Sequence, residues 1–228
     1  MVKYAMRTWS PELHILPRGQ RLLWNRLAAT PKHFVLYGGT ALALRLGHRE
    51  SVDFDFFSHH AFSPLELART IPYLENQTIT QQEPDTLSCS VETVAETVKV
   101  SFFGNLRLAQ IDPPDRVGSN LIAVASLRDL FGMKCATIPQ RSEAKDYLDI
   151  HALINDAGVN LAQGIACAQA IYGRQYNPMM TLQALSYFAD LQDPLPPAVE
   201  ADLLAAVKSV AVDKLPTIAA SGHIGNDC

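Results

Sequence analysis

Residues 34–58 read FVLYGGTALALRLGHRESVDFDFFS, and the order of their parts decides the fold. Phe34-Val35-Leu36-Tyr37 is an apolar run of β-formers halted by a glycine pair, which predicts a short buried strand. Gly38 and Gly39 allow backbone angles and close approaches that a side chain would forbid. Thr40 to Leu46 are then strong helix formers, with Thr40 placed to cap the first turn. A glycine turn opening into a helix presents free N–H groups and the positive end of a dipole, which suits a phosphate. Next the pattern changes to alternation: Val52, Phe54 and Phe56 point one way along a strand, Asp53 and Asp55 the other. Those two carboxylates lie roughly 7 Å apart along the backbone, a spacing that can hold a hard divalent cation, Mg2+ or Mn2+.

Working outward, residues 10–29 predict two short helices divided at Pro17-Arg18-Gly19, with Leu23, Trp24 and Leu27 inward. Ser63 and Glu66 form a capping-box pattern ahead of a further helix. Residues 78–82, 86–92, 97–103 and 106–111 read as strands, with Gly104-Asn105 as a tight turn between the last two. Lys99-Val100-Ser101-Phe102 is expected to continue the sheet carrying Asp53 and Asp55. Leu121 to Ala125 is one more buried strand or an extended connection, and Ser126 opens a helix running through Lys134. Further helices are expected at about 141–156, 161–172, 181–190 and 198–212. The domain reading is a core with N-terminal helices at 1–125, a helical region at 126–216 and a loose tail at 217–228.

On the 141–156 helix, four-residue spacing sets Arg141, Lys145 and Asp149 on one stripe with Asp146 beside Asp149. Without other information this is a solvated salt-bridge face. His48 and Arg49 sit between helix and strand, where a helix-end role is preferred over substrate contact, and His59-His60 reads as a surface loop. Cys89, Cys135, Cys167 and Cys228 are scattered, so free thiols are expected rather than a zinc site or a disulfide framework. The chain is 48% hydrophobic and 18% charged, which excludes wholesale disorder, and its net charge of −4 argues against a surface coating nucleic acid indiscriminately. No signal core and no membrane-length apolar run is seen, so a cytoplasmic protein is expected.

The stretch YGGTALALRLGHRESVDFDFF resembles the Gly-Gly-Thr/Ser…Asp-x-Asp signature of the DNA polymerase β-like nucleotidyltransferases, and its wording is similar to the AbiEii/AbiGii toxin branch. QRSEAKDYLDI resembles that branch's Arg-x-x-x-Lys-Asp-x-x-Asp motif. The resemblance implies an α/β (α+β) fold, a mixed β-sheet flanked by helices with a C-terminal helical region. It implies transfer of NMP from an NTP to an acceptor hydroxyl, with Asp53 and Asp55 on the metal and Gly38, Gly39 and Thr40 cradling phosphate. Lys145 would meet triphosphate oxygens, with Arg141 and Lys134 as further phosphate contacts, and Asp146 and Asp149 would hold Lys145 or Arg141 in place. Implied partners are an NTP, an RNA acceptor such as tRNA and an antitoxin. The sequence departs at one point: Lys99-Val100-Ser101 occupies a stretch where relatives place a third acid, so Ser101 stands in that slot, and Asp112 is the nearest substitute. Two other readings follow: a catalytically impaired nucleotide- or partner-binding protein, and a small-molecule nucleotidyltransferase.

Overall fold

The structure, a computed structural model, describes residues 9–225; residues 1–8 and 226–228, Cys228 among them, lie outside the described residues. In chain order the strands are β1 (Val35–Tyr37), β2 (Asp53–Phe57), β3 (Thr78–Glu83), β4 (Thr86–Glu92), β5 (Thr97–Phe103), β6 (Ala109–Gln110), β7 (Asp115–Val117), β8 (Ile122–Val124) and β9 (Gly222–His223). The helices are α1 (Arg18–Trp24), α2 (Gly38–Leu46), α3 (Pro64–Thr70), α4 (Leu127–Thr137), α5 (Ala144–Asn155), α6 (Leu161–Tyr172), α7 (Pro178–Ala184) and α8 (Pro197–Lys208). Among the described residues the chain forms two compact units, one of residues 9–108, 113–126 and 222–225, the other of 109–112 and 127–221.

The first unit is built on a seven-stranded sheet in the order β3-β4-β5-β2-β1-β8-β7. It is mixed: β2 runs parallel to β5 and β1 parallel to β8, while β1 and β2 are antiparallel. Period-two alternation puts Leu36, Phe54, Phe56, Val100 and Phe102 on one face, all fully buried. Phe56 and Phe102 stack at 5.3 Å between ring centroids, which fixes the register of β2 against β5 from the core side. Because a slip of one residue would turn the aspartates inward, this apolar packing determines where Asp53 and Asp55 point. The second unit is helical, with α4 laid against α6, where the Phe131 ring meets Gly164 and Gly132 meets Cys167 and Ile171.

Several expectations are corrected. Ser10-Pro11 opens only a 3₁₀ turn, Leu13–Ile15, because Leu16 precedes Pro17 and is extended. Helix α1 starts at Arg18 and runs through Gly19, whose N–H is received by Glu96 Oε1 at 2.6 Å; this long-range cap replaces the expected break. Thr40 does not cap α2. The helix begins two residues earlier at Gly38, and the Thr40 hydroxyl donates instead to the Asp53 carbonyl. Ser63 precedes α3 but makes no capping bond with its side chain. Val52 is 61% exposed and precedes β2 rather than joining its core face. Gly104-Asn105 is no hairpin: Gly104 N donates to Asp85 O, and Leu106 N to Ser58 O, so only Ala109–Gln110 of the expected fourth strand is extended. Helix α7 starts at Pro178, where the Asn177 side chain accepts from Met179 N, rather than at 181. The C-terminal stretch is held at Ile224, which is fully buried and receives both the N–H and the ring nitrogen of His59 on its carbonyl.

Candidate active site

The glycine turn and the aspartate strand meet in the first unit. Tyr37 on β1 pairs with Asp55 on β2, and Asp55 pairs in turn with Ser101 on β5. Ser88 of β4 completes the row, so Tyr37, Asp55, Ser101 and Ser88 lie side by side on one face across four strands. One row along, Asp53 pairs with Lys99. Asp53 and Asp55 are half-buried, while Lys99 is exposed.

Gly38 sits at φ +73, and a Cβ built on it would lie 2.9 Å from Asp55 Oδ2. The turn therefore presses its backbone against the carboxylate, and only glycine permits both the angle and the approach. A Cβ on Gly39 would lie 2.8 Å from Arg49 Nη2 and 2.9 Å from Ser51 Oγ. The sequence pattern places Arg49 only at a helix end and assigns Ser51 nothing. The loop between α2 and β2 reverses tightly through Gly47 in the left-handed conformation, and this returns Arg49 to the glycine pair. Gly38→Ala is expected to cost about 1–2 kcal/mol through the left-handed angle. It should also displace Asp55, so transfer should fall further than unfolding midpoints alone explain; parallel urea melts and turnover assays check this.

Ser101 fills the slot of the absent third acid in a closed setting. It is 1% exposed, and its hydroxyl accepts a 3.0 Å hydrogen bond from Ser88 Oγ. Asp112 belongs to the second unit, where it pairs with Arg128 at 3.1 Å.

The second unit contains the other predicted residues. Lys134, expected as a phosphate contact, has a side chain only 8% exposed and reaches Asp146 Oδ1 and Asp149 Oδ2 at 2.6 Å each. Arg141 is extended ahead of α5 rather than on it, which breaks the expected stripe. It still grips Asp146 with two bonds, 2.7 Å from Nε and 3.1 Å from Nη2. The two aspartates thus hold Lys134 and Arg141, not Lys145. Lys145 is 51% exposed on its side chain and pairs with Glu143 at 2.7 Å, a surface contact of small energetic weight.

Burial pushes the Asp146 carboxyl up, but the Arg141 hydrogen bond and the Lys134 charge outweigh it and hold the group below its ordinary 3.8. A depressed carboxyl stabilises the fold above its unfolded value, and that contribution is lost as pH falls through the folded value. The second unit should therefore keep this contribution at neutral pH and lose it below about pH 4. Melting Asp146→Asn alongside wild type from pH 7 to pH 2 checks it: the gap between them should close in acid.

Among the described residues no helix is long and apolar enough to cross a membrane, and Cys89, Cys135 and Cys167 are buried free thiols. No three His, Cys, Asp or Glu side chains among them gather as a self-sufficient metal cage.

A mixed sheet bearing a paired-aspartate strand beside a Gly-Gly turn defines a nucleotidyltransferase fold. Solved structures agree: a candidate nucleotidyltransferase from H. pylori superposes with TM-score 0.51 at 21% identity, over 83% of this chain and 90% of that one. MenT4, a nucleotidyltransferase toxin from Mycobacterium tuberculosis, superposes with TM-score 0.52 at 16% identity, over 84% of each chain. At such identities the likeness is one of fold. In sequence, an uncharacterised Aquifex aeolicus protein is 32% identical over 162 residues, 70% of this chain and 76% of that protein. The profile of the nucleotidyl transferase AbiEii toxin family, of type IV toxin–antitoxin systems, matches residues 21–219. The chain belongs to that family of nucleotidyltransferase toxins, whose members imply a nucleotide substrate and a cognate antitoxin.

Proposed function

We propose that this chain transfers a nucleoside monophosphate from an NTP to an acceptor hydroxyl, with a divalent cation, Mg2+ or Mn2+, held by Asp53 and Asp55. The observation that carries the reading is the contact of the Gly38 backbone position with Asp55 Oδ2, which joins a phosphate-type turn to a metal-type carboxylate. The donor set fits the cation. Mg2+ is commonly bound through one or two carboxylates plus water and substrate phosphates rather than by an all-protein cage, and two same-face carboxylates are what β2 offers. When bound, the cation would supply charge stabilisation to the phosphate oxygens of the reacting nucleotide.

The chain's own residues do the rest. The Gly38-Gly39 turn and the first N–H groups of α2 orient the phosphates, and Thr40 fixes that helix end to β2 through the Asp53 carbonyl. Arg49 lies against the same turn and adds positive charge there. The family resemblance makes Lys145 and Arg141 candidate phosphate contacts, and within its own unit Lys145 has the freer ammonium, since Glu143 is a half-exposed partner. In the reaction the acceptor oxygen bonds to the α-phosphorus, the bond from that phosphorus to the bridging oxygen breaks, and pyrophosphate leaves. The proton of the acceptor passes to solvent. A loose transition state of this kind asks little of a protein base, so a serine in the third position lowers the rate without removing the chemistry.

Ser101 supports a second reading, a nucleotide- or partner-binding protein without turnover. The test is incubation with α-labelled NTPs, Mg2+ and bulk RNA, tRNA included. Labelled RNA that is lost in Asp53→Ala supports transfer; NTP binding with no labelled acceptor supports the second reading; no NTP binding removes both. Ser101→Ala should cost less than about tenfold in rate, because a neutral buried hydroxyl cannot take the acceptor proton without activation. Abolition by that substitution would assign Ser101 a direct role instead.

A further inference from the structure

The antiparallel register of β1 on β2 starts with Val35 opposite Phe57, and carried two residues outward it sets His33 beside His59 and His60. The rings gather there: the centroids of His59 and His60 are 3.9 Å apart, and those of His33 and His60 5.2 Å. A fourth imidazole arrives from far along the chain, His223 of β9, 6.1 Å from His59. The same place holds residues 222–225. Ile224 is fully buried and donates its N–H to Leu108 O. Its carbonyl receives the His59 backbone N–H at 2.9 Å and the ring Nδ1 at 3.0 Å. Gly225 follows at φ +73 and lies on the His33 carbonyl, which leaves no room for a Cβ.

No counter-charge balances the cluster. Among the described residues none of the four pairs with a carboxylate, unlike His14 with Glu12 and His151 with Asp202. Asp85 approaches the His60 loop, but its oxygens accept from Phe62 N and Asn105 Nδ2. Lys32 beside His33 and Arg107 beside Leu108 are exposed and carry the sign of an imidazolium. Burial first, then His60 and His59, hold the His33 imidazole below its ordinary 6.5. Such a group binds its proton less readily folded than unfolded, so its cost is absent above the unfolded value and grows as pH falls below it. The His59 bond does not fail by itself. A carbonyl only accepts, so Nδ1 carries the hydrogen, and protonation of the other ring nitrogen leaves that donor in place. What acid adds is a crowd of like charges around residues 222–225. Lifting that segment returns His33 to water and takes His223 away from His59. We propose that His33, His59, His60 and His223 form an acid-sensitive latch on residues 222–225, closed at neutral pH and released as the cluster takes up protons. The proposal does not depend on transfer at Asp53 and Asp55, since the glycine turn lies at the other end of β1.

Hydrogen exchange of the full chain at pH 7.5 and pH 5, corrected for the intrinsic pH dependence of exchange, tests it on the peptide holding residues 222–225. Protection there should fall at least about fivefold in acid, while the peptides of β1 and β2 stay within about twofold. In H33Q/H60Q, which keeps polar side chains that take up no proton, the fall should shrink to less than about twofold. His14→Gln, outside the cluster, should retain the fall in full. Unchanged protection in wild type, the same fall in the double variant, or an equal fall across β1 and β2 overturns the proposal. Should H33Q/H60Q open the segment already at pH 7.5, the exposed His223→Gln decides: a smaller fall than in wild type supports the latch, and an equal one overturns it.

Discussion

Asp55→Asn should lower nucleotidyl transfer by about 10³-fold or more while leaving the fold in place. The magnitude follows from the several kcal/mol that metal-assisted charge stabilisation contributes, at 1.36 kcal/mol per factor of ten. The amide has almost the shape of the carboxylate, so the Gly38 turn that abuts Asp55 Oδ2 has no reason to move. On the opposite sheet face, Phe54 and Phe56 stay buried whatever stands at position 55. The loss should therefore be chemical, visible as a collapse of turnover with an unchanged urea midpoint. Retained turnover in Asp55→Asn, at equal Mg2+, would remove the paired-aspartate site from the proposal.

Lys134→Met should produce the largest loss of stability, roughly 3–5 kcal/mol, the usual cost of leaving a buried charge without its partner. Asp146 and Asp149 are both completely buried and share the one ammonium at 2.6 Å. Arg141 still covers Asp146 after the substitution. Lys134→Met combined with Asp149→Asn should recover part of the loss, since one of the two buried negative charges is then gone. Equilibrium urea unfolding of the single and double variants measures this. A single variant as stable as wild type, but inactive, would move Lys134 from a structural clamp to direct work on the nucleotide.

Much of the first unit was legible because strand alternation and glycine punctuation are local signals. The run from Phe34 to Phe57 encodes its strand, turn, helix and strand in consecutive residues, and both aspartates come out on one face as the period of two requires. Capping was read less well. Thr40, Ser63 and Gly19 were assigned by neighbours in sequence, yet their partners are Asp53 for Thr40 and Glu96 for Gly19, with no side-chain bond for Ser63. A hydrogen-bonding group takes the partner that folding brings to it, and spacing carries no information about a distant one.

The sequence by itself determined the order of elements around the glycine pair, the shared face of Asp53 and Asp55, and the serine at position 101. Tertiary structure alone decided that Arg49 and Ser51 return to Gly39, that Lys134 rather than Lys145 lies between Asp146 and Asp149, and that His33, His59, His60 and His223 gather in one cluster. The division has a physical cause. Backbone geometry repeats over two to four residues and so can be read along the chain, whereas the pairing of charges depends on which side chains share a low-dielectric interior after the chain has closed.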